Sequence, residues 1–534
     1  MLRAATAKTK QINVGIVGAG FAGLRCADVL LQHGCKVTIF EARDRVGGRV
    51  AQSNHLGHMV DLGPNWIHGT DDNPILHIAK ETGTQLHAWD EAQAIVDADG
   101  KPLDAREASE YGQHLWDDGV IADAFRYSNE YHDSIDSKRS LYDFFVEKAE
   151  GMFTGEPVAV AKRKRETFFQ VTSMWGAYVG SPVTKQSLKF FWLEECIEGE
   201  NPFVAETYHK ILDAVAKPAR EKADLRLRSQ VSQVRSESEV REPGAGKHDA
   251  KPSIQLATGR IEQFDEIVVT TPLGWLKRNV DAFKPALPPR LSQAIDSIGY
   301  GTLDKVYITF PSAFWDTSLG PGTCITNGTD PQGKTPNVTA TTTPLHQPPS
   351  SKPSQHYPGF THWLQPSYAP DSNPQQWDQQ GMNMAGLPPS CGHPTILFYT
   401  YGDCSKHIAA LVSASKTDVE HDAQLLDFFE PYYSRLPNYH PADPDCTPKA
   451  VLATAWANDE FAGYGSYSNF QVGLEKGGED VEVMRHGMPE RGVWFAGEHT
   501  APFVALGTST GAYWSGEGVA KRIVAAYGLD VQQS

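Results

Sequence analysis

The feature that most constrains this chain is a glycine-rich turn set between a strand and a helix near its start. Asn13 to Val17 (NVGIV) is an unbroken run of strand length, and it leads directly into Gly18-Ala19-Gly20-Phe21-Ala22-Gly23. Leu24, Ala27, Leu30 and Leu31 then share one face of a helix that Gly34 stops. Lys36 to Phe40 is a second strand, ending at Glu41. Together these make a full βαβ unit. The three glycines let the turn close tightly and let a pyrophosphate approach the helix N-terminus, while the carboxylate of Glu41 can accept hydrogen bonds from ribose hydroxyls. A dinucleotide-binding α/β fold is the expectation.

The 534 residues, 40% hydrophobic and 21% charged, leave room for one or two large domains. A formal charge of −17 repels phosphate, so nucleic acid is not an expected partner; the same field suits a cationic small molecule, as it suits solubility. Cys26, Cys35, Cys196, Cys324, Cys391, Cys404 and Cys446 are scattered, odd in number and without a CxxC spacing. They point to neither a disulfide framework nor a metal site. Met1 to Lys10 lacks the apolar core of a signal peptide, and no uncharged apolar run is long enough to cross a bilayer. A cytoplasmic protein without a membrane partner, monomeric or homodimeric, is expected. Glu237 to Lys251 reads as a surface loop, and the sequons at Asn327 and Asn337 carry little weight without secretion.

Four further segments carry a family resemblance. Glu41-Ala42-Arg43-Asp44-Arg45-Val46-Gly47-Gly48-Arg49 resembles the extended motif of two-domain flavoproteins, and Gly492 to Thr500 (GVWFAGEHT), followed by a helix starting near Gly511, looks like the C-terminal signature of the flavin amine oxidases. Asp61-Leu62-Gly63-Pro64-Asn65-Trp66-Ile67-His68-Gly69 is similar to the active-site segment of the polyamine oxidase branch. Tyr464-Gly465-Ser466-Tyr467-Ser468-Asn469 matches an aromatic wall segment of the same family. The resemblance runs from Asn13 to about Ala526, with its motifs in order.

This resemblance implies an FAD-dependent oxidation of an amine by hydride transfer to the flavin, giving an aldehyde, an amine and, with O2, hydrogen peroxide. It implies that Gly18, Gly20, Gly23, Glu41, Arg49, Asn65, Trp66, Val231, Trp456, Glu498 and Thr508 hold the cofactor. Lys305, at the start of LDKVYITF, matches the lysine that holds a water at the flavin, and His68 would face the substrate. Tyr467 matches one aromatic wall of the substrate site; the opposite wall, often tyrosine, falls on Thr508, which leaves room for a longer or bulkier amine. Ser466 stands where monoamine oxidases carry a flavin-bonding cysteine, so the FAD is expected to be noncovalent.

With cofactor motifs at both ends, the fold implied is a discontinuous Rossmann-like FAD-binding domain with an inserted α+β substrate-binding domain. The expected FAD-binding pieces are 12–95, 215–300 and 445–534, and the substrate-domain pieces are 96–214, largely helical, and 301–444. Asp224 to Val234 is expected as a strand pair and Asp265 to Pro272 as a buried strand. Pro331 to Pro394, rich in Pro, Ser, Gln and Thr, reads as an insertion that Trp363, Tyr368 and Trp377 pack in part. An amine or amino-acid oxidase acting on a specialised substrate is the alternative, although no arginine stands out to pair a substrate carboxylate. The long heptad tower of histone demethylases has no counterpart in the sequence.

Overall fold

Five parallel strands bring three distant parts of the chain into one sheet. The computed structural model describes residues 11–89, 92–116, 119–236, 251–316, 357–414 and 417–529. Within it Val493–Phe495, Glu266–Val269, Asn13–Val17, Lys36–Phe40 and Asp224–Arg226 lie side by side in that order, every neighbouring pair parallel. The discontinuity follows from chemistry: the central strand is buried on both faces, so neighbours have to be recruited from later in the chain. Helices Phe21–Gln32, His209–Lys222 and Ser509–Tyr527 cover one face and share a core with Ile16, Val37, Ile39 and Val268. The first and last of these cross closely because Gly516 has no side chain; a Cβ there would lie 2.1 Å from the Ala22 carbonyl oxygen. Arg25 on the first helix donates to Glu517 on the last at 2.6 and 2.9 Å.

Asp224 to Val234 is not a strand pair. Asp224–Arg226 joins the parallel sheet, while Val231–Arg235 joins a separate four-stranded sheet beside Ser253–Leu256. Arg228, with a φ of 52°, turns the chain out of the first sheet between them.

A second, six-stranded sheet runs Ala450–Ala453, Leu303–Thr309, Thr395–Tyr401, Gln379–Asn383, Phe360–Trp363 and Gln93–Val96. It is antiparallel except for the last pair. Gln93–Val96 spans the expected boundary at 95, and Ala450–Ala453 falls within the stretch expected to belong to the cofactor domain. Strand alternation decides what this sheet presents on each side. Val306, Ile308, Ile396 and Phe398 face a core built with helices Gly402–Ala414 and Asp418–Tyr433, whereas Tyr307, Leu397 and Tyr399 face the other way, toward Trp66 and Phe203. Trp363 is fully buried in the helix-side core, and Tyr368 and Trp377 pack against it. The part of the Pro331 to Pro394 insertion before Tyr357, with both sequons and Cys324, lies outside the described residues, as does all of Glu237 to Lys251 except Lys251 itself. Among the described residues no helix is long and apolar enough to cross a membrane.

Candidate active site

The glycine-rich turn sits at the carboxyl edge of the parallel sheet. Gly18 has a φ of 105°, and a Cβ on Gly23 would lie 2.1 Å from the Gly18 carbonyl oxygen, so both positions require glycine. Gly20 differs: its added Cβ would meet only the Gly47 carbonyl oxygen, at 4.0 Å, so the start of the helix faces open space. Glu41 is buried, its two oxygens accepting the amides of Ala19 at 2.8 Å and Arg43 at 2.9 Å. A carboxylate accepts about four hydrogen bonds, so capacity for a ribose diol remains. Thr271 Oγ1 and both ring nitrogens of His499, just beyond two of the sheet's carboxyl ends, are buried without hydrogen-bond partners. Open backbone at a helix N-terminus, a carboxylate with spare lone pairs and orphaned polar atoms at this edge fit a dinucleotide. Val231 is buried nearby, two residues after Ser229, whose amide donates to the Glu41 carbonyl at 2.8 Å.

The buried Glu498 pairs with the partly buried Arg49. Arg49 Nη1 donates to Glu498 Oε1 at 3.1 Å, to the Tyr300 hydroxyl at 3.3 Å and to the Ser466 carbonyl. Ser468 Oγ donates to Glu498 Oε2 at 2.6 Å. Burial alone would raise the Glu498 carboxyl, but Arg49, with help from His499 and Ser468, holds it below the usual value and keeps it anionic. The Ser466 hydroxyl is engaged by the Leu303 backbone, donating to its carbonyl at 2.8 Å and accepting from its amide at 2.7 Å.

Lys305 projects from the second sheet onto the Asp61 to Asn65 loop. Its Nζ donates to the carbonyl oxygens of Asp61 (3.2 Å) and Gly63 and to Asn65 Oδ1. Tyr399 donates to the same Asn65 Oδ1 at 2.9 Å, and Tyr307 to the Asp61 carbonyl at 2.7 Å. The period of the strand puts Lys305, Tyr307 and Tyr399 on one face, so this constellation is a direct product of the sequence alternation. Burial pushes the Lys305 amine well below its ordinary range, with the Asp61 carboxylate opposing the shift; burial pushes Asp61 up. A lysine in that state can donate or accept a proton near neutrality. Asn65 is buried and accepts the Val204 amide through its backbone carbonyl at 2.7 Å. Trp66 packs edge-on against Phe203 at 5.1 Å.

Asp304, which the sequence reading passed over, occupies the opposite face of the same strand. Its fully buried carboxylate accepts from Thr454 Oγ1 (2.7 Å), the Trp456 amide (2.7 Å), Ser405 Oγ (2.8 Å) and the Ala457 amide (3.3 Å). Trp456 is thereby fixed, and its indole donates to the Leu62 carbonyl at 3.0 Å. An acid immediately before Lys305 was the available signal; in a buried strand it faces away from the lysine and needs its own set of donors.

Tyr467 is a neutral phenol, pushed well above its usual value by burial and by the nearby Glu194, Tyr399 and Glu498. It donates to the Tyr178 carbonyl at 2.6 Å. Thr508 follows Gly507, which lies against the Tyr467 ring, but its hydroxyl caps the last helix, accepting the Gly511 amide at 2.9 Å and donating to the Ala505 carbonyl at 2.7 Å. That helix starts at Ser509, two residues ahead of the expected Gly511. Burial lowers the His68 pKa, and the Asn201 side chain opposes the shift in part. The structure therefore brings Lys305 and Trp456 onto the loop that carries Asn65 and Trp66, and pairs Arg49 with Glu498.

A parallel sheet with a glycine-rich turn at its carboxyl edge is thus joined to an antiparallel sheet that carries a buried lysine. The chain belongs to the flavin containing amine oxidoreductase family, whose model matches residues 21–524. It is 25% identical over 321 residues to probable polyamine oxidase 4 of Arabidopsis thaliana, covering 57% of this chain and 59% of that one. It is 27% identical over 337 residues to lysine-specific histone demethylase 1 homolog 2 of Oryza sativa subsp. japonica, covering 60% of this chain and 40% of the relative. The matches thus span less than two thirds of either relative. A solved structure of a putrescine oxidase double mutant, redesigned in cofactor binding, superposes with a TM-score of 0.63 at 14% identity, covering 96% of this chain and 99% of the other, and shows the shared fold.

Proposed function

We propose that this protein is an FAD-dependent amine oxidase acting on a cationic aliphatic amine of the polyamine or acetyl-polyamine class, with FAD held noncovalently. The observation that carries the reading is Lys305, buried against the Asp61 to Asn65 loop. Family membership supports the flavin, and relatives named polyamine oxidase support the amine class. When bound, the flavin supplies the two-electron oxidation of a carbon–nitrogen bond and transfers the electrons to O2.

The chain's own residues do the rest. Gly18, Gly20, Gly23, Glu41 and Val231 would hold the adenosine and pyrophosphate half, and Arg49, Asn65, Trp66, Trp456, Glu498 and the start of the Thr508-capped helix the flavin half. Lys305, with its amine lowered by burial, holds a water or takes a proton at Nζ. Tyr467 and Tyr399 present aromatic walls against which an amine can be oriented, and the apolar surroundings of Trp66 and Phe203 favour the uncharged, reactive amine over its ammonium form. Arg49 is spent on Glu498, Ser466 and Tyr300, so it is a poor partner for the carboxylate of an amino acid.

The test is to denature yellow purified protein and filter it. FAD in the filtrate, together with peroxide formed from a polyamine in air, is the expected outcome; flavin retained on the protein, or peroxide only with amino acids, contradicts the proposal.

A further inference from the structure

The mechanism leaves part of the antiparallel sheet's site-facing side unused. Cross-strand pairing sets Lys305 opposite Tyr399, Tyr399 opposite Gln380, and Gln380 opposite His362. Directly paired residues share a face, so Gln380 and His362 stand in line with Lys305. Phe360 and Met382, two residues along from His362 and Gln380 on their strands, belong to the core that Trp66 joins, which fixes this face as the one toward the site. At about 4.8 Å per strand, Gln380 lies about 10 Å and His362 about 14 Å from Lys305 along the sheet.

Both side chains are buried with a polar atom unpaired. Gln380 is 5% exposed and His362 3%, yet Gln380 Oε1 and His362 Nδ1 have no hydrogen-bond partner. Buried polar atoms in that state are costly, and a bound ligand is one way to satisfy them. Space for one adjoins the row. The Tyr178 carbonyl receives the Tyr467 hydroxyl at 2.6 Å, and the Tyr178 ring is 44% exposed. Its phenol is nonetheless pushed up to about 12 by desolvation, with the Gln380 side chain opposing the shift. A ring that is accessible and yet desolvated faces an internal recess rather than open water.

The chemistry of the row is neutral beyond Lys305. Burial lowers His362 to about 3, so its ring is uncharged. Asp378, two residues before Gln380, has its carboxyl raised by burial and receives the Tyr401 hydroxyl at 2.9 Å. An ammonium group would be desolvated here without a free counter-charge, and an alkyl end would leave both polar atoms unpaired. A secondary amide supplies what each lacks: its N–H for Gln380 Oε1, and its carbonyl for His362 with the ring proton on Nδ1.

Resting on the amine oxidase reading above, we propose that Gln380 and His362 form a neutral subsite for a secondary amide at the far end of the substrate. The enzyme then prefers an amine acylated at its distal end over one that ends there in a free ammonium or a plain alkyl group.

The test uses octylamine, 1,8-diaminooctane and the mono-N-acetyl derivative of that diamine, whose carbon chain spans about 10 Å, the separation of Lys305 and Gln380. Each is titrated anaerobically against the flavin absorbance of wild-type, Gln380→Met and His362→Phe holoprotein, and its effect on melting temperature is recorded. In wild type the acetylated amine is expected to half-saturate at about a tenfold lower concentration than the other two. Parity with octylamine, or tighter binding of the free diamine, overturns the subsite. Each variant should weaken the acetylated amine roughly 3- to 10-fold, the scale of one neutral hydrogen bond, and leave octylamine within about twofold. Equal losses for both amines, or none, overturn it as well. The melting shift keeps the two claims apart. An acetylated amine that stabilises wild type but neither variant supports the subsite even where nothing bleaches, and that absence of bleaching overturns the oxidase reading instead. Bleaching by all three amines without preference keeps the oxidase reading and removes the subsite. If neither variant holds flavin, the wild-type ranking decides.

Discussion

Lys305→Met separates the two roles a buried lysine can have. Methionine matches the stem in length and removes only the amine. Of the three oxygens that Nζ meets, the Asp61 carbonyl keeps the Tyr307 hydroxyl at 2.7 Å and Asn65 Oδ1 keeps the Tyr399 hydroxyl at 2.9 Å, so Gly63 alone loses its side-chain donor. One orphaned carbonyl costs about 1–3 kcal/mol. Part of that is offset because a desolvated ammonium is replaced by an apolar group, and Asp61, losing its cation, is stabilised in the protonated form that burial already favours. The expected net loss of stability is about 1 kcal/mol, a few degrees or less in Tm for a chain of this size. Activity should respond quite differently, since a positioned amine that holds water or transfers a proton contributes roughly 10²- to 10⁴-fold. The assay is urea unfolding and flavin content beside stopped-flow reduction and reoxidation. Normal flavin content and near-normal stability with turnover reduced at least a hundredfold is the predicted result. Turnover within about threefold of wild type, or a collapse of stability by more than about 4 kcal/mol, would refute the reasoning.

Three further outcomes follow from the same geometry. Glu41→Ala removes the acceptor of the Ala19 and Arg43 amides and of a ribose diol; fluorescence titration of apoprotein with FAD should show affinity weakened about a hundredfold or more, the equivalent of two charge-assisted hydrogen bonds. Asp304→Ala leaves the Trp456 and Ala457 amides buried without their acceptor and should lower urea-unfolding stability by about 2–5 kcal/mol, with faster loss of flavin as the Trp456 turn loosens. Burial lowers His362 to about 3 and His499 to about 4, so both fold as neutral rings that charge more readily once unfolded. Depressed histidine values contribute stability that is full above about pH 6.5 and is lost as the pH falls toward 4; at pH 5 each accounts for about 2 kcal/mol. Chemical unfolding of apoprotein should show this slope, and His362→Gln should reduce it.

The cofactor end of this architecture was readable because its constraints are local. A strand, three glycines, a helix and an acid in one stretch specify a turn that only that spacing can build, and Gly23 packs against the Gly18 carbonyl as the pattern requires. The strand around Lys305 was readable for a similar reason, since a period of two fixes which residues share a face. What depends on partners distant in sequence was not. Nothing near Asp304 shows that Ser405, Thr454 and the Trp456 turn converge on it, and nothing near Arg226 shows that the chain leaves one sheet for another at Arg228. Thr508 matched a substrate wall by alignment of motifs, yet its hydroxyl serves as a helix cap, a role that depends on where the last helix begins.

The central claim is that the buried lysine site oxidises cationic amines with a bound flavin, and anaerobic bleaching tests it most directly. Yellow holoprotein is mixed without oxygen with polyamines, acetyl-polyamines, monoamines and amino acids in turn, then exposed to air with peroxide detection. Bleaching by a polyamine or acetyl-polyamine, with recovery of colour and one peroxide per flavin on admitting air, is the predicted result. A protein that stays yellow with every polyamine, or that bleaches only with amino acids, would contradict it.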